Sequence, residues 1–353
     1  MIKKIAILAG DGIGDEITKQ SLKVLNAIEK KFHHDFLYQE GLIGGIAINK
    51  SGKPLPDKTL SICVDSDAIL FGAIGDPKYD LALNFQIRPE KGLLNIRRGL
   101  NLYCNIRPVI TYEAILNRSP LKLDRVKGID FLVYRELIGG IYFGEKGISV
   151  IAEDKKAYDY CYYSAEEIQR IGHIAFKEAI ARHKNLTLVD KANVMETSRL
   201  WRETIQTMAK DYTKVSVDFL FVDNAAMQIL LNPKNFDVIL TDNMFGDILS
   251  DEASVISGSI GLLPSASIGD KNALFEPIHG SYPQAYRKNI ANPLASILSI
   301  AMMLDYLNLH KEAKSVRDAV YNSITYRKST FDISSFYTIG TEEIGDFIAQ
   351  ELL

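Results

Sequence analysis

The sequence has few of the features that mark secreted or nucleic-acid-binding proteins. Its 353 residues include only three cysteines, Cys63, Cys104 and Cys161, which lie far apart and form no C-x-x-C or Cys/His grouping. This spacing predicts neither a disulfide framework nor a structural zinc site, and it favours a reducing compartment. The formal net charge is only −3 and the lysines are scattered, so we expect no nucleic-acid partner.

Long hydrophobic runs are also missing. The apolar stretch in MIKKIAILAGDG is interrupted before it reaches the length of a signal peptide, and even ASILSIAMML is too short to span a bilayer. We therefore expect a cytoplasmic protein with no membrane partner. A length of 353 residues with 47% hydrophobic content allows a large core and favours two domains.

Short apolar runs alternate with helical patterns along most of the chain. KIAILAG is followed by EITKQSLKVLNAIEKKF, LTLVDKA by ETSRLWRETIQTMAKDY, and FDVILTD by GDILSDEASVI. This alternation predicts an α/β fold. The Tyr-rich segment IYFGEKGISVIAEDKKAYDYCYYS instead predicts a β-hairpin or arm, at about residues 142–163, that invites a partner strand.

The motif AILAGDGIGDEI raises the question of a Rossmann dinucleotide site. Gly10, Gly12 and Gly14 lie between a strand pattern and a helix pattern, where backbone N–H groups can approach a pyrophosphate. The G-x-G-x-x-G spacing is missing, however, and Asp15 and Glu16 place two anions where a phosphate would dock. We interpret the motif as a tight turn between a strand and a helix.

Two aspartates in DNMFGDILSDEAS form a candidate metal site. Asp247 and Asp251 are four residues apart in a helical pattern, which places both carboxylates on one helix face. Such like charges are destabilising unless they are neutralised, and Mg²⁺ or Mn²⁺ binds well to one or two carboxylates plus substrate oxygens and water. The alternative is a solvated acidic face.

The window FQIRPEKGLLNIRRGLNLYCNIRP is rich in arginine. Its arginines are Arg88, Arg97, Arg98 and Arg107. Guanidinium groups bind carboxylates bidentately, and Leu93 and Leu94 lie nearby in the sequence, so the window predicts binding of a small acid with several carboxylates and an apolar tail. Arg135 in VYRELIGG can join this group. The alternative is a set of surface ion pairs.

Three further side chains are candidates for proton transfer or metal binding. Lys191 follows the strand pattern LTLVD, and a partly desolvated lysine at a strand end can act as a base or proton relay. Asp223 ends the strand pattern VSVDFLFVD. Tyr142 follows two glycines and can serve as a general acid. The alternatives are an ordinary surface residue for Lys191 and an aromatic arm contact for Tyr142.

The segment LFEPIHGSYPQAYRKNIANP is dense in Gly, Pro and Asn and predicts a long ordered loop. Loops of this kind in α/β proteins are often functional. His279, Gly280 and Ser281 supply donors and a close backbone approach for a nucleotide. The alternative is a loop cap that is satisfied internally.

Together, these motifs resemble the isocitrate/isopropylmalate β-decarboxylating dehydrogenase family. GDGIGDE, RPEKGLLNIR, NIRP, RELIGGIYFGE, DKANV, FVDNAAM, FGDILSDEAS and FEPIHGS occur in the family's order along almost the whole chain. The resemblance implies an α/β, isocitrate/isopropylmalate dehydrogenase-like two-domain fold with a mixed, non-Rossmann sheet. It implies a cofactor-side domain of residues 1–102 and 258–353 and a central domain of residues 103–257 for substrate, metal and dimerisation, with the arm.

The resemblance also implies which residues act on the substrate. Arg97, Arg107 and Arg135 would bind the substrate carboxylates. Leu93 and Leu94, with Val194 of a second subunit, would receive the isopropyl group, and Glu90 would lie between substrate and nicotinamide. Lys191 of the second subunit would relay the proton from the C2 hydroxyl, and Tyr142 would protonate C3.

The implied cofactors are NAD and Mg²⁺ or Mn²⁺. The metal would be bound by Asp247 and Asp251 of one subunit and Asp223 of the other, in a homodimer with shared active sites. The implied cofactor residues are Ile13, on the adenosine side, and members of the loop from Glu276 to Asn292: His279, Gly280, Ser281 and Gln284. In NAD-using relatives an Asp stands where this chain has Gln284, so a weaker preference for NAD is expected.

The reaction implied is the NAD-dependent oxidative decarboxylation of 3-isopropylmalate to 2-oxoisocaproate, a step of leucine biosynthesis. The alternatives within the family act on tartrate, D-malate or isocitrate, and Leu93 and Leu94 disfavour the third carboxylate of isocitrate. The alternatives from other classes are a metal-dependent phosphohydrolase and a non-catalytic acid-binding module.

Overall fold

The computed structural model describes residues 2–79, 87–151, 154–334 and 338–353. The first elements in chain order are β1 (Ile2–Gly10), α1 (Gly14–Phe32), β2 (Asp35–Glu40), α2 (Gly45–Ser51), α3 (Asp57–Val64), β3 (Ala68–Ala73), α4 (Pro89–Gly99), β4 (Cys104–Ile110), α5 (Leu123–Val126), β5 (Asp130–Glu136), β6 (Lys146–Ile151) and β7 (Asp154–Asp159). The remaining elements are α6 (Ala165–Ala181), β8 (Asn185–Asp190), α7 (Glu196–Ala209), β9 (Ser216–Phe221), α8 (Val222–Leu231), β10 (Val238–Thr241), α9 (Asn243–Ser257), β11 (Pro264–Ile268), β12 (Ala273–Pro277), α10 (Leu294–Tyr306), α11 (His310–Thr325) and α12 (Thr341–Leu352).

The chain divides into two compact units. Unit 1 comprises Met1–Leu102, Thr111–Pro120 and Ser257–Leu353, and unit 2 comprises Tyr103–Ile110 and Leu121–Ile256. The division proposed from the sequence places residues 111–120 in the central domain, whereas the structure groups Thr111–Pro120 with unit 1. No helix in the described part of the chain combines the length and the apolar character that crossing a membrane requires.

The strands of unit 1 are ordered β2-β1-β3-β12-β11. β1 pairs in parallel with β2 and β3, β3 pairs in parallel with β12, and β12 pairs antiparallel with β11. Strand β3, AILFGA, is buried at every position, which explains its continuous apolar sequence. The sheet of unit 1 is therefore mixed and does not have an all-parallel Rossmann arrangement.

The helices of unit 1 follow from the apolar pattern of their sequences. Helix α1 packs against α12 and α10, and it buries Ile17, Val24, Leu25 and Ile28. Two acidic residues lie in its first turn and two lysines in its last turn, and these charges interact favourably with the helix dipole. Helix α10, LASILSIAMMLDY, is apolar almost all round because most of its residues are buried.

The strands of unit 2 are ordered β4-β5-β10-β8-β9. β4 and β5 are antiparallel, while β5, β10, β8 and β9 pair in parallel with their neighbours. The core between these strands and helices α6 and α7 contains Trp201, Phe176 and Tyr134. Because the carboxyl ends of parallel strands meet at one edge, the residues that follow β5, β10 and β8 share that edge.

The Tyr-rich segment of unit 2 contains β6 and β7, which pair antiparallel as a separate two-stranded sheet. Lys146 pairs with Asp159, and Ile151 pairs with Asp154. Every residue of β7 is exposed, and Ile148 and Val150 of β6 are also exposed. This hairpin, β6 with β7, therefore has almost no core of its own.

Candidate functional site

Two arginines and two aspartates of unit 2 form one charged cluster. The register of β4 and β5 pairs Asn105 with Arg135, which brings Arg107 and Arg135 onto neighbouring strands. Helix α9 begins directly after the carboxyl end of β10 and carries Asp247 and Asp251. The structure thus brings together the acidic pair and two of the arginines that the sequence singled out separately.

The arginines neutralise the acidic pair within the chain. Arg135 donates a short hydrogen bond from Nη1 to Oδ1 of Asp247. Arg107 donates from Nη1 to Oδ1 of Asp251 at 3.3 Å and to Oγ of Ser250 at 2.6 Å. The sequence interpretation assigned this neutralisation to a divalent cation, because the pairing of residues more than a hundred positions apart is not visible in the sequence.

Tyr142 lies against the same cluster. Its hydroxyl donates to Oδ2 of Asp247 at 3.0 Å, and its ring lies beneath the guanidinium of Arg135, 5.8 Å from ring centroid to Cζ. Burial, followed by the charge of Asp247, raises the pKa of Tyr142. The phenol therefore keeps its proton at neutral pH, as a proton donor must.

The carboxylates of Asp247 and Asp251 fit a hard divalent cation. Their side chains are 36% and 64% exposed, so water and substrate oxygens can reach them. In the described ranges no three acidic, His or Cys side chains are grouped as a metal site. Mg²⁺ commonly takes only one or two protein carboxylates and keeps its other positions for water and substrate, so this donor set suits it.

Lys191, Asp223 and Val194 form a second feature of unit 2. Lys191 directly follows β8 and makes a short ion pair with Oδ1 of Asp223, which lowers the pKa of that carboxyl. Asp223 does not end a strand, as the sequence suggested, but lies in the first turn of α8. Val194 is 65% exposed. Lys191 and Val194, expected to act in a second subunit's site, thus lie on the loop of residues 191–195, called the lysine loop below. Asp223, the third such residue, lies on α8 and contacts Lys191.

Helix α4 of unit 1 presents the residues expected to meet the substrate's apolar group. Leu93 packs partly on the core of unit 1, Leu94 is half-buried, and Glu90 is exposed in the first turn. Arg97 donates from Nη2 to Oε1 of Glu276 at 3.0 Å, with both side chains nearly buried. Glu276 was expected to begin the nucleotide loop, but it lies in β12, where it pairs with Arg97.

The glycine-rich turn is a structural junction in unit 1. The buried carboxylate of Asp11 accepts hydrogen bonds from the backbone N–H groups of Gly45, Ile46 and Gly75 at 2.9, 3.0 and 3.1 Å. A Cβ at Gly12, where φ is +54°, would lie 2.1 Å from the carbonyl oxygen of Ser281. Only glycine permits this close approach, so the turn serves to join three segments of unit 1.

That junction places Ile13 beside the nucleotide loop. The N–H of Ile13 donates to the carbonyl oxygen of Ser281 at 2.8 Å, and Ile13 packs with Ala285 and Ala291. A cavity of about 420 Å³ opens at this point, lined by Ile13, Ser259, Ile260, Gly261, His279, Gly280, Tyr282, Ile290, Ala291, Asn292, Phe331 and Asp332. Four of the seven predicted cofactor residues, Ile13, His279, Gly280 and Asn292, thus line one cavity of unit 1, and a fifth, Ser281, contacts Ile13.

His279 presents a buried polar atom at this cavity. Its Nδ1 lies 3.0 Å from the carbonyl oxygen of Gly280, and burial lowers the pKa of the ring. Its Nε2 is buried and has no hydrogen-bond partner in the described residues. A buried polar atom of this kind at the wall of an apolar cavity fits a ligand that carries its own polar edge, as an adenine does.

Gln284 lies in a short 3-10 turn, Pro283–Ala285, and is exposed. Tyr286, Arg287 and Lys288 follow it and are also exposed, and the Arg287 guanidinium stacks on the ring of Tyr286 at 5.0 Å. Gln284 itself is uncharged, so this position neither repels nor neutralises a 2′-phosphate.

Sequence reasoning missed two buried polar residues beside the charged cluster. Glu136 follows Arg135 at the end of β5, and Asn243 begins α9. Both side chains are fully buried. Asn243 accepts hydrogen bonds from Nε and Nη2 of Arg135 at 3.1 and 2.8 Å. The sequence signal for Glu136 was its position directly after Arg135, whereas Asn243 lies four residues before Asp247 and next to no candidate residue.

Sequence reasoning also missed the support of the lysine loop. Asp190 is buried and accepts two hydrogen bonds from Arg202 at 2.8 and 2.9 Å and one from the N–H of Ala192 at 2.9 Å. The Arg202 guanidinium lies over the rings of Phe219 and Phe221. Asp190 thus fixes the loop that starts at Lys191.

Comparisons with known proteins identify the family and the relatives of this chain. The isocitrate/isopropylmalate dehydrogenase family profile matches residues 4–348. The chain is 50% identical to a 3-isopropylmalate dehydrogenase of Bacteroides fragilis, covering 98% of this chain and 97% of that protein. It is 49% identical to a 3-isopropylmalate dehydrogenase of Clostridium acetobutylicum, covering 99% of both chains.

A solved structure shows the same fold. The isocitrate dehydrogenase of Methylococcus capsulatus aligns with a TM-score of 0.89 and 33% identity over 99% of both chains. The predicted α/β fold of this type, with a mixed sheet, is confirmed. The chain belongs to the isocitrate/isopropylmalate dehydrogenase family.

Proposed function

We propose that the protein catalyses the NAD-dependent oxidative decarboxylation of 3-isopropylmalate to 2-oxoisocaproate, a step of leucine biosynthesis. The observation that carries the proposal is the cluster of Arg107, Arg135, Tyr142, Asp247 and Asp251 in a chain half identical to 3-isopropylmalate dehydrogenases over its length. These side chains supply carboxylate binding, cation binding and proton donation to one reaction.

The arginines and leucines favour 3-isopropylmalate over isocitrate. Arg97, Arg107 and Arg135 bind the two carboxylates and orient the C2 hydroxyl. Leu93 and Leu94 offer partly exposed apolar surface on α4 and no hydrogen-bonding group. A third carboxylate placed there would lose its water without gaining a partner, whereas an isopropyl group gains by leaving water.

NAD and a divalent cation supply chemistry that the side chains lack. When bound, NAD accepts the hydride from C2, and the cation polarises the C2 oxygen and stabilises the negative charge that develops there during decarboxylation. Asp247 and Asp251, with Asp223 of a second subunit, would hold the cation. Ile13, His279, Gly280, Ser281, Gln284 and Asn292 would hold the nucleotide.

Lys191 and Tyr142 move the protons. Lys191 takes the proton of the C2 hydroxyl while C2 is oxidised. Carbon dioxide then leaves from C3 with the bond's electron pair remaining on the substrate, and Tyr142 donates its phenolic proton to C3. The raised pKa of Tyr142 supports this role, because the proton is held until a strong base forms at C3.

We further propose that two copies share the sites. Lys191 and Asp223 are in contact, Val194 is exposed three residues after Lys191, and α8 and α9 carry further exposed apolar side chains, namely Met227, Leu231, Ile248 and Val255. Large apolar side chains grouped on a surface favour association. The hairpin adds exposed Ile148 and Val150, exposed Tyr160 and Tyr162 follow it, and a second copy offers the matching surface by symmetry.

The decisive test is the appearance of reduced nicotinamide with four acids: 3-isopropylmalate, isocitrate, tartrate and D-malate, each with NAD and with NADP and with Mg²⁺ present. We expect the highest kcat/KM for 3-isopropylmalate with NAD. A higher kcat/KM for isocitrate would instead identify the protein as an isocitrate dehydrogenase of the same family. Reduction with none of the acids would refute a dehydrogenase function and favour a binding module or a phosphohydrolase.

A further inference from the structure

We propose that Glu136 and Asn243 are positioning residues. They hold Tyr142 and Arg135 in place because Glu136 accepts the N–H of Gly139 and Asn243 donates to its carbonyl oxygen. This arrangement of Glu136, Gly139 and Asn243 is called the Gly139 clamp below. The inference rests on the proposed function, because it concerns how Tyr142 and Arg135 are held for that reaction.

The clamp holds both polar groups of Gly139. Oε2 of Glu136 accepts the N–H of Gly139 at 2.7 Å, and Oε1 accepts the N–H of Ile138 at 3.2 Å. Nδ2 of Asn243 donates to the carbonyl oxygen of Gly139 at 3.0 Å. Because both side chains are fully buried, water cannot replace these bonds if they are lost.

Tyr163 closes the space around the clamp. A Cβ at Gly139 would lie 2.6 Å from the Tyr163 ring, and a Cβ at Gly140, where φ is +69°, would lie 2.3 Å from its hydroxyl. That hydroxyl accepts the N–H of Asn243 at 3.1 Å. Only glycine therefore fits at these two positions, and this close packing against Tyr163 adds to the hydrogen bonds that set the path of the chain toward Tyr142.

The clamp connects the two groups that act on the substrate. Gly139 lies three residues before Tyr142, and Asn243 accepts two hydrogen bonds from Arg135 through the same side chain that holds Gly139. Asp247 also contacts both Arg135 and Tyr142, but it has a second proposed task as a cation ligand. The Gly139 clamp holds the pair in place whichever partner Asp247 takes.

Accurate placement matters for the proton transfer. Tyr142 has to bring its hydroxyl within hydrogen-bond reach of C3, and an error of about 1 Å can lower a rate by about 100-fold. A residue that sets this distance without touching the substrate affects kcat more than KM. A fall in kcat with little change in KM therefore distinguishes a positioning residue from a substrate-binding residue.

Two nearly isosteric substitutions break the clamp. Asn243→Asp retains an oxygen for Arg135 but replaces the donor to Gly139 with an acceptor that faces a carbonyl oxygen. Glu136→Gln retains the size of the side chain but turns one of its two acceptors into a donor that faces a backbone N–H. Both changes leave Tyr142 and Arg135 themselves unaltered.

Asp237→Asn is the matched control. Asp237 is buried at the opposite end of β10 from Asn243, and its carboxylate accepts from Nε of Arg182 at 2.8 Å and from the N–H of His183 at 3.0 Å. This substitution damages a comparable buried carboxylate network of unit 2. It therefore reports what a general loss of stability does to the reaction.

The experiment combines steady-state kinetics with a direct measure of proton transfer. The exchange of the C3 protons of 2-oxoisocaproate for deuterium, followed by NMR with Mg²⁺ present, reports reversible proton transfer at C3. For Asn243→Asp and Glu136→Gln we expect kcat and the exchange rate to fall about 10- to 100-fold, with KM for 3-isopropylmalate changing less than about threefold. Thermal unfolding and NADH binding, by fluorescence, are measured in parallel.

The outcomes separate the inference from the proposed function. The control Asp237→Asn is expected to lower Tm at least as much as the clamp variants but to keep kcat and exchange within about twofold of wild type. Clamp variants that exchange at the wild-type rate, or lose no more activity than the control, would overturn the positioning role and leave the function intact. A wild type that neither oxidises 3-isopropylmalate nor exchanges C3 protons would overturn both.

Discussion

The two units of the molecule hold their functional groups in different ways. In unit 2, charged side chains hold one another: Arg107 and Arg135 face Asp247 and Asp251, and Lys191 pairs with Asp223. In unit 1, backbone groups do most of the holding, as in the three N–H groups that converge on Asp11 and the contact of Ile13 with Ser281. Ion pairs between side chains therefore set the positions of the charges in unit 2, whereas backbone hydrogen bonds set the shape of the turn beside the cavity in unit 1.

This difference matches the tasks proposed for the units. A substrate with two carboxylates and a divalent cation demands charges at fixed points, and each substitution there removes a specific interaction. A nucleotide cavity demands a shape, and it tolerates changes in side chains that only border it, such as Gln284. We therefore expect large effects on rate from changes in unit 2 and smaller effects on selectivity from changes in unit 1.

The largest effect is expected from the charges that pair in unit 2. Lys191→Ala removes the proposed proton relay, and Arg135→Ala removes a proposed substrate carboxylate contact, so each variant by itself should lose about 10²- to 10⁴-fold in kcat/KM. In a mixed dimer, one site carries neither change and should recover part of the activity. Kinetics after co-refolding of the two variants test this expectation.

The control for this comparison is Lys210→Ala, which changes an exposed lysine after α7 and should retain wild-type activity. Refolding either inactive variant alone should give no recovery. If mixed dimers form but stay inactive, Lys191 and Arg135 act in the same subunit's site, and the shared-site proposal is wrong.

Burial of charge in unit 2 should also make stability depend on pH. Burial raises the pKa of Glu136 to about 7, opposed by its backbone hydrogen bonds and Arg170, while Glu167 adds to the rise. An unfolded glutamate ionises near its ordinary pKa, so between about pH 4.5 and 7 only the unfolded state releases its proton. This single group should therefore lower stability by about 3 kcal/mol as pH rises through that range.

Glu136→Gln should remove this contribution. The free energy of unfolding of wild type minus that of the variant, measured by denaturant titration from pH 5 to 8, should fall as pH rises. Glu203→Gln, at an exposed glutamate of α7, serves as the control and should leave the pH slope unchanged. A difference between wild type and Glu136→Gln that is constant with pH would contradict the buried, shifted glutamate.

A smaller effect is expected from one cation ligand. Exhaustive chelation should abolish turnover, and Asp251→Asn should raise the Mg²⁺ concentration for half-maximal activity by about 10- to 100-fold, because an amide binds a hard cation less well than a carboxylate does. Asp211→Asn, at an exposed aspartate, should leave the requirement unchanged. Full activity of the metal-free protein would rule out the cation site.

The smallest effect is expected in unit 1. Gln284→Asp introduces an anion that accepts from the ribose hydroxyls and repels a 2′-phosphate, so the ratio of kcat/KM for NAD over NADP should rise about tenfold. Gln284→Asn separates charge from side-chain length and should change the ratio little. A wild type that strongly prefers NADP would show that Arg287 and Lys288 bind the phosphate.

Local sequence patterns predicted much of this arrangement. The alternation of apolar runs and helical patterns predicted the α/β fold, and the strand KIAILAG, the helix after GDGIG and the helix carrying Asp247 and Asp251 all occur where those patterns lie. The spacing of these aspartates also predicted that they share a helix face. Such features depend on neighbouring residues, which the sequence displays directly.

Contacts between distant residues could not be predicted in this way. The arginines facing Asp247 and Asp251 come from β4 and β5, and only the strand register brings them there. Sequence reasoning missed Glu136 and Asn243 because the role of a buried carboxylate or amide depends on its hydrogen-bond partners, which the neighbouring sequence does not reveal. The roles of the individual site residues, and the sharing of sites by two copies, stay predictions.

The hairpin has a consequence for the newly made chain. In a two-stranded sheet both strands are edge strands, so in a newly made chain the outer sides of β6 and β7 carry N–H and C=O groups that this sheet does not pair. Such edges invite indiscriminate aggregation. Lys146, Lys155 and Lys156 lie on these strands, and lysine on an edge disfavours pairing with unrelated chains. These lysines therefore disfavour aggregation of the newly made chain through the hairpin.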